Sequence, residues 1–311
     1  MFQLIKSNTK FDFVGKFPYT SAFSTIATLG ALILIFTHMK YGVDFTGGAE
    51  IQVKFNNSIA VSDLRSTISA AGIDSASVQS IGDEKENEYL LRIPAKEENI
   101  NILEQALEKG LKAKFVDQGV QIRKVDLVGP KAGAQLRTSA FLALVWALIA
   151  IMIYVGLRFD FKYGPGAILS LIHDTTFICG VYAVCGIEFT LQTVAALLTI
   201  VGYSVNDTVI VYDRIRENEE MYPGNDFKTH INNATNETLS RTILTSGATL
   251  FTSLALLFFG GVAIRDFFLA VSIGIIIGTY SSIYVAAPFT LLFENMMSKR
   301  KLGAQNAGLA K

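Results

Sequence analysis

The stretch VGYSVNDTVIVYDRIREN, residues 201–218, decides how this chain is read. Its first half is apolar enough to end a membrane helix, yet it carries Asn206 and Asp207, and its second half turns abruptly charged. A charged Asp at the centre of a membrane helix costs about 2.5–3.5 kcal/mol on translocon scales, so such groups face a bundle interior or a wet cavity and by default mark an ion path. The bland alternative is a packing hydrogen bond between helices.

Composition supports the membrane setting. Half of the 311 residues are apolar and only 17% are charged, and the mean hydropathy is positive, outside the usual range for a soluble globular protein. Equal totals of 27 basic and 27 acidic residues exclude a strongly basic nucleic-acid binder. Apolar runs long enough to cross a bilayer of about 30 Å, roughly 20 residues of helix, fall at 19–39, 136–157, 164–185, 190–212, 242–262 and 267–293. Pro165 and Pro288 are expected near span ends, where a lost helical hydrogen bond is easier to satisfy.

Orientation follows from the short connections, because Lys and Arg are retained on the cytoplasmic side. With both termini inside, the N-terminal segment 1–18, the inner connections and the tail 294–311 hold Lys6, Lys10, Lys16, Arg158, Lys162, Arg214, Arg216, Lys228, Arg241, Lys299, Arg300, Lys301 and Lys311, whereas the outer loops 186–189 and 263–266 hold only Arg265. Residues 40–135 then lie outside, in a periplasm if the cell has two membranes. A cleaved signal peptide is the competing reading of the first span, but its polar leader is long, and YGVDFTGG follows it rather than a small-x-small cleavage site. Cys179 and Cys185 share the third span about 240° apart around the helix, so they do not pair and say nothing of redox compartment.

The 40–135 segment has a different texture. IQVKF at 51–55 alternates as a half-buried strand, and a helix follows with Ser62 as its cap, Leu64, Ile68 and Ala71 as its stripe, and Gly72 at its end. Strands are expected at about 76–81 and 88–93 around the turn GDEKEN. A second helix opens at Pro94 with Ile100, Leu103 and Leu107 inward and Gly110 as its stop, and a last strand spans 119–128. The order β-α-β-β-α-β is that of a ferredoxin-like domain. With no His, Cys or phosphate-binding Gly loop there, the segment reads as a binding or mechanical module, and no catalytic residue, cofactor or metal is expected.

Chemistry therefore points back to the spans, where His173 and Asp174 in the third and Asp207 in the fourth are the ionisable groups well inside. Asp207 reads as functional on the default above, while His173 beside Asp174 is open to either an ion path or local self-satisfaction. Helical steps of three, four and seven put Ser204, Tyr203 and Arg214 on the side of Asp207, with Asn206 about 100° away beside Thr199, Tyr203 and Asp213, so this helix is expected to be central in the bundle. Asp213, Arg214 and Arg216 read first as a solvated helix end. In the fifth span Arg241 precedes Thr242, Thr245, Ser246 and Thr249; it is either a snorkelling anchor or a countercharge for Asp207. Gly274, Gly278 and Ser282 form a small-residue packing seam.

Taken together, GVDFTGG (42–48), VGPKAGAQL (128–136), the 201–218 stretch, SRTILTSGAT (240–249), FGG (259–261) and SSIYVAAP (281–288) resemble the SecF family, the smaller integral subunits of the bacterial SecD–SecF export complex. The motifs keep their order over residues 19–295; GVDFTGG stands where GLDFTGG is common, and the tail carries no family motif. The resemblance implies a six-helix bundle of the resistance-nodulation-division type with a small outer α+β domain, in the bacterial inner membrane. It implies SecD and the SecYEG channel as partners, with YajC, a membrane insertase and the translocating preprotein as further ones. It implies use of the proton motive force, with the family's essential Asp on Asp207 and its essential Arg on Arg241, and with Asn206, Tyr203, Ser204, Asp213, His173 and Asp174 as supporting polar residues. Rival classes are a proton-driven exporter of small molecules or lipids, which would need larger outer docking domains, and a purely structural assembly partner, which needs no titrating Asp.

Overall fold

The computed structural model describes residues 9–70, 76–81, 87–94, 109–111, 113–115 and 118–309. Six helices among them are long and apolar enough to cross a membrane. Helix α1 (Phe17–His38) leads through strand β1 (Lys40–Tyr41) and the single turn α2 (Val43–Thr46) into an α/β domain. That domain comprises β2 (Gly48–Lys54), α3 (Val61–Ala70), β3 (Ser77–Ile81), β4 (Glu88–Pro94) and β5 (Gln121–Val128). The chain then returns to the bundle as α4 (Pro130–Arg158), α5 (Gly164–Cys185), the short strand β6 (Glu188–Phe189), α6 (Leu191–Met221), α7 (Phe227–Phe259) and α8 (Val262–Ser281). A π-helical stretch, Ser282–Ala286, joins α8 to α9 (Ala287–Leu309).

The domain's four strands lie in the order β3-β4-β2-β5, every neighbouring pair antiparallel. This fits the β-α-β-β-α-β plan, in which each helix crossover skips one strand. Alternation supplies the core: Ala49, Ile51 and Val53 on β2 and Leu91 and Ile93 on β4 are buried against Leu64 and Ile68 of α3. The second helix expected after Pro94 falls almost wholly outside the described residues, as do Ala71 and Gly72 and most of the GDEKEN turn. Ser62 is not the cap of α3. The helix begins at Val61, and the carbonyl of Ala60 accepts from the N–H groups of Asp63 and Leu64, which puts Ser62 inside the first turn.

Two motifs that look separate in the sequence meet where domain and bundle join. Gly47 has φ of +79°, and a Cβ there would stand 2.8 Å from the backbone of Pro130; a Cβ on Gly133 would stand 3.1 Å from the backbone of Phe45 and Gly47. GVDFTGG and VGPKAGAQL are thus the two halves of one close backbone crossing. It is tied sideways to the α5–α6 connection. β1 pairs in parallel with β6, Phe45 stacks on Phe189 at 5.7 Å, and Asp44 accepts the Leu191 N–H at 2.9 Å. Arg92 of β4 adds ion pairs to Glu50 at 2.9 Å and to Glu188 at 3.4 Å. Burial works against the Arg92 charge, but the hydrogen bond to Glu50 and the charges of Glu50 and Glu188 outweigh it and hold its pKa above the ordinary value.

Within the bundle α5, α6 and α8 form the inner layer, and α1, α4 and α7 expose most of their apolar surface. The seam of the last span explains the close approach, because a Cβ on Gly274 would lie 2.5 Å from the Ile200 side chain and one on Gly278 3.1 Å from Ser204. Helices run beyond the apolar runs that announce them. α6 continues past residue 212 to Met221, and α7 starts at the Asp226 cap, whose carboxylate accepts the Thr229 N–H at 3.0 Å. There Arg158 pairs with Asp213, Arg214 with Glu237 and Arg216 with Glu220. Residues 263–266, expected as an outer loop, belong to α8; the break is at Gly260 and Gly261, the latter with φ of +79°. Pro288 lies inside the last span rather than near its end, just after the π-helical stretch, where a missing N–H disturbs the helical ladder.

The joint makes a direct prediction. Gly47→Ala places a Cβ in the left-handed region and against the Pro130 backbone, so it should destabilise the protein by about 1–3 kcal/mol. Gly30→Ala, in open space on α1, should be neutral. Thermal unfolding of the two variants in detergent checks the contrast, and equal melting temperatures would contradict the joint.

Candidate functional site

Two acidic centres sit inside the bundle, on adjacent faces of α6. The first is Asp207, 5% exposed. Its Oδ1 accepts from Thr242 Oγ1 of α7 at 2.8 Å, and its Oδ2 has no hydrogen-bond partner among the described residues. Thr242 is the first hydroxyl of the SRTILTSGAT motif, so the polar turn of α7 does reach the carboxylate. Arg241 does not. It is exposed, makes no ion pair with Asp207, and lines a cavity of about 320 Å³ with Arg158, Asp213 and Arg214 at the charged end of α6. Its charge reaches Asp207 only through space.

The second centre is Asp174 on α5, 1% exposed. Its Oδ2 accepts from Ser204 Oγ of α6 at 2.7 Å and from Ser281 Oγ, the last residue of α8, at 2.8 Å. Its Oδ1 lies 3.1 Å from Nδ1 of the neighbouring His173. Ser204, assigned to the side of Asp207 by helical spacing, therefore serves Asp174 instead. The turn that follows carries Asp207 and Thr208, and Thr208 Oγ1 donates to Ser282 Oγ at 3.0 Å. One turn of α6 thus presents a carboxylate to α7 and hydroxyls to α5 and to the start of the π-helical stretch. π-helical insertions of this kind often occur at functional sites.

The remaining sequence candidates are dispersed. Tyr203 donates to Ser246 Oγ at 3.3 Å, and Thr279 reaches the same oxygen at 2.8 Å, a bridge between α6, α7 and α8. Asp213 is exposed and pairs with Arg158 at 3.3 Å, which fits a solvated helix end. Asn206 is exposed, together with Thr199 on α6 and Arg241, Thr245 and Thr249 on α7. α6 is central in the bundle, as its polarity predicts, yet this polar face remains uncovered. Sequence reasoning missed Ser281 as a partner of Asp174, and Thr208 as the link from α6 to Ser282; the doubled serine of SSIYVAAP inside an otherwise apolar span was the available signal.

These features define a polytopic membrane protein with a small α/β domain, a glycine-rich domain joint and buried acidic groups where three helices meet. Comparison with known proteins narrows the class. Residues 108–296 match the family described as protein export membrane protein SecD/SecF, C-terminal, and residues 32–59 match the SecD/SecF GG motif. Among curated proteins, the protein translocase subunit SecF of Rickettsia prowazekii is 38% identical over 98% of this chain and 98% of its own, and that of Rickettsia akari is 38% identical over 96% and 97%. Among solved structures, SecDF from Thermus, titled a translocon-associated membrane protein, superposes with a TM-score of 0.82 at 35% identity, over 94% of this chain and 40% of the SecDF chain. A second SecDF structure gives 0.71. The chain belongs to the SecF family of protein translocase subunits.

The Asp174 centre yields a stability prediction. Ser204→Ala and Ser281→Ala each leave a buried carboxylate oxygen short of a donor and should each destabilise by about 1–3 kcal/mol. Because both serve one oxygen, their effects should not add. Thermal unfolding of the single and double variants checks this.

Proposed function

We propose that this chain is the Sec export subunit that converts proton motive force into movement of its α/β domain, with Asp207 as the proton carrier. One observation carries the reading: Asp207 is buried at a helix junction with one oxygen held by a single threonine hydroxyl and the other free of protein partners. A carboxyl built only for packing would have both oxygens satisfied. Such a group changes charge with little steric change, and each state favours a different packing of α6 against α7. A proton crossing 100 mV releases about 2.3 kcal/mol, enough to bias two packings of similar energy. Arg241, exposed at the charged end of α7, supplies a distant positive charge that favours the ionised form.

SecD is the partner we assign to the uncovered polar face. The exposed Asn206 amide on α6 would be costly against lipid, and the Thermus relative is a SecDF chain of which this one spans about 40%. Association with SecYEG, YajC and a membrane insertase and contact with the preprotein follow from the same family. We further assign the α/β domain to the outer side of the inner membrane and both termini to the cytoplasm, on the charge asymmetry of the short connections.

Asp207→Asn fixes a neutral side chain of similar shape. Folding and SecD association should survive, while gradient-driven stimulation of preprotein export into inverted vesicles should disappear. Asp207→Glu should retain part of it, and Arg241→Ala should move the remaining activity toward higher pH. Full stimulation by Asp207→Asn at normal protein levels would refute the carrier assignment. For orientation, a cysteine at the exposed Ser66 of α3 should react with an impermeant thiol reagent in intact spheroplasts; absence of labelling in fully expressed protein would refute the topology.

A further inference from the structure

We propose that His173 and Asp174 form a second proton-binding station, reached from the end of the bundle that carries the N-terminus. The idea rests on the reading of Asp207 as a carrier only for what the station is coupled to; the station itself stands on its own geometry.

His173 is 4% exposed. Its Nδ1 faces Asp174 at 3.1 Å, and its Nε2 is buried without a partner among the described residues. The residue lines a cavity of about 180 Å³ between α1, α5 and the π-helical stretch, and α1 contributes hydroxyls to the same wall from Ser21, Ser24, Thr25 and Thr28. Ser24 is held by Tyr280, its Oγ 2.9 Å from the tyrosine hydroxyl. A second cavity of about 370 Å³ shares Ser21 and Phe289 with the first and extends to Lys228 and Asn295 at the polar end of the bundle. Together the two run from that end to the wall that His173 lines, short of its buried Nε2. A histidine held only for packing leaves the buried Nε2 unexplained.

The chemistry balances simply. With Nδ1–H donated to Asp174, the neutral ring offers its Nε2 lone pair; an arriving proton forms one N–H bond there and leaves by the same bond. The charge of the imidazolium is met by Asp174. The titratable groups facing the ring are Asp174 on its own helix, Tyr280 with its ring centre 6.2 Å away at the end of α8, and Tyr284 of the π-helical stretch. α1 and α6 present only hydroxyls, and no Lys, Arg or Glu lines the inner cavity. Because Asp174 also holds Ser204 and Ser281, protonation of His173 redistributes the bonds that position α6 one turn before Asp207.

The test uses the assembled SecD-containing complex. On acidification, native complex should take up about one more proton than His173→Gln complex, read by a pH dye after mixing. The pH profile of gradient-driven export should change in His173→Gln, whereas Asp207→Asn should lose stimulation at every pH. Equal proton uptake and an unchanged profile for His173→Gln would overturn the station while leaving Asp207 intact. Full stimulation by Asp207→Asn with reduced uptake by His173→Gln would overturn the Asp207 reading and keep the station. If His173→Gln fails to assemble, Leu169→Phe fills the inner cavity without touching the pair; it should slow proton uptake after a pH jump several-fold, and native uptake kinetics in that variant would equally overturn the proposal.

Discussion

The bundle is organised around a carboxylate that has no arginine or lysine to meet it. Asp174 is satisfied by two serine hydroxyls and an imidazole, and those three groups come from α5, α6 and the end of α8. Hydroxyl donors are short, so their helices must come close. Glycine and serine on α8 permit that approach, and Gly278 sits directly against Ser204. Had a long cation been used instead, the helices could stand further apart. The small-residue seam and the buried acid are therefore one requirement seen from two sides, since a low-dielectric interior leaves an unmet carboxylate strongly unfavourable.

This arrangement also separates two kinds of acidic group, Asp174 on α5 and Asp207 on α6. Asp174 has three donors and is fixed by them. Asp207 has one donor and a free oxygen, and stands where α6 meets α7, a helix that buries little of its own surface. The first sets the geometry of α6; the second is free to respond within it.

Much of this was legible in the residues. Long apolar runs locate helices well because a helix satisfies its own backbone polar groups in lipid, and strand alternation at Ile51 and Val53 with helical spacing at Leu64 and Ile68 gave the core of the α/β domain. Helix ends were less legible. α6 and α7 continue into charged sequence, since a helix need not stop where the membrane does, and Arg265 and its neighbours are helical because Gly260 and Gly261 already make the turn. At the site, spacing put Ser204 beside Asp207 but gave no information on which neighbouring helix it faces. The α5–α6–α8 node depends on how three helices are rotated against one another, a property of packing that no periodicity within one helix contains. The π-helical stretch is similar: the sequence shows Pro288, not how the preceding ladder adjusts to it.

The crossing at Gly47 and Pro130 has a mechanical corollary. The chain enters the α/β domain at Gly48 and leaves it at Val128, and these residues are paired across adjacent strands. Both attachments therefore lie side by side, as two leaves of one hinge do, with glycine at the pin. A body held this way swings about a single axis and resists being pulled straight out. Strand β3, two places beyond β2 in the sheet, stands roughly 10 Å from that axis at ordinary strand spacing, so a small turn at the pin becomes a larger sweep at the far edge. The Arg92–Glu188 ion pair closes the gap between the sheet and the α5–α6 connection, and in such a lever it acts as the catch.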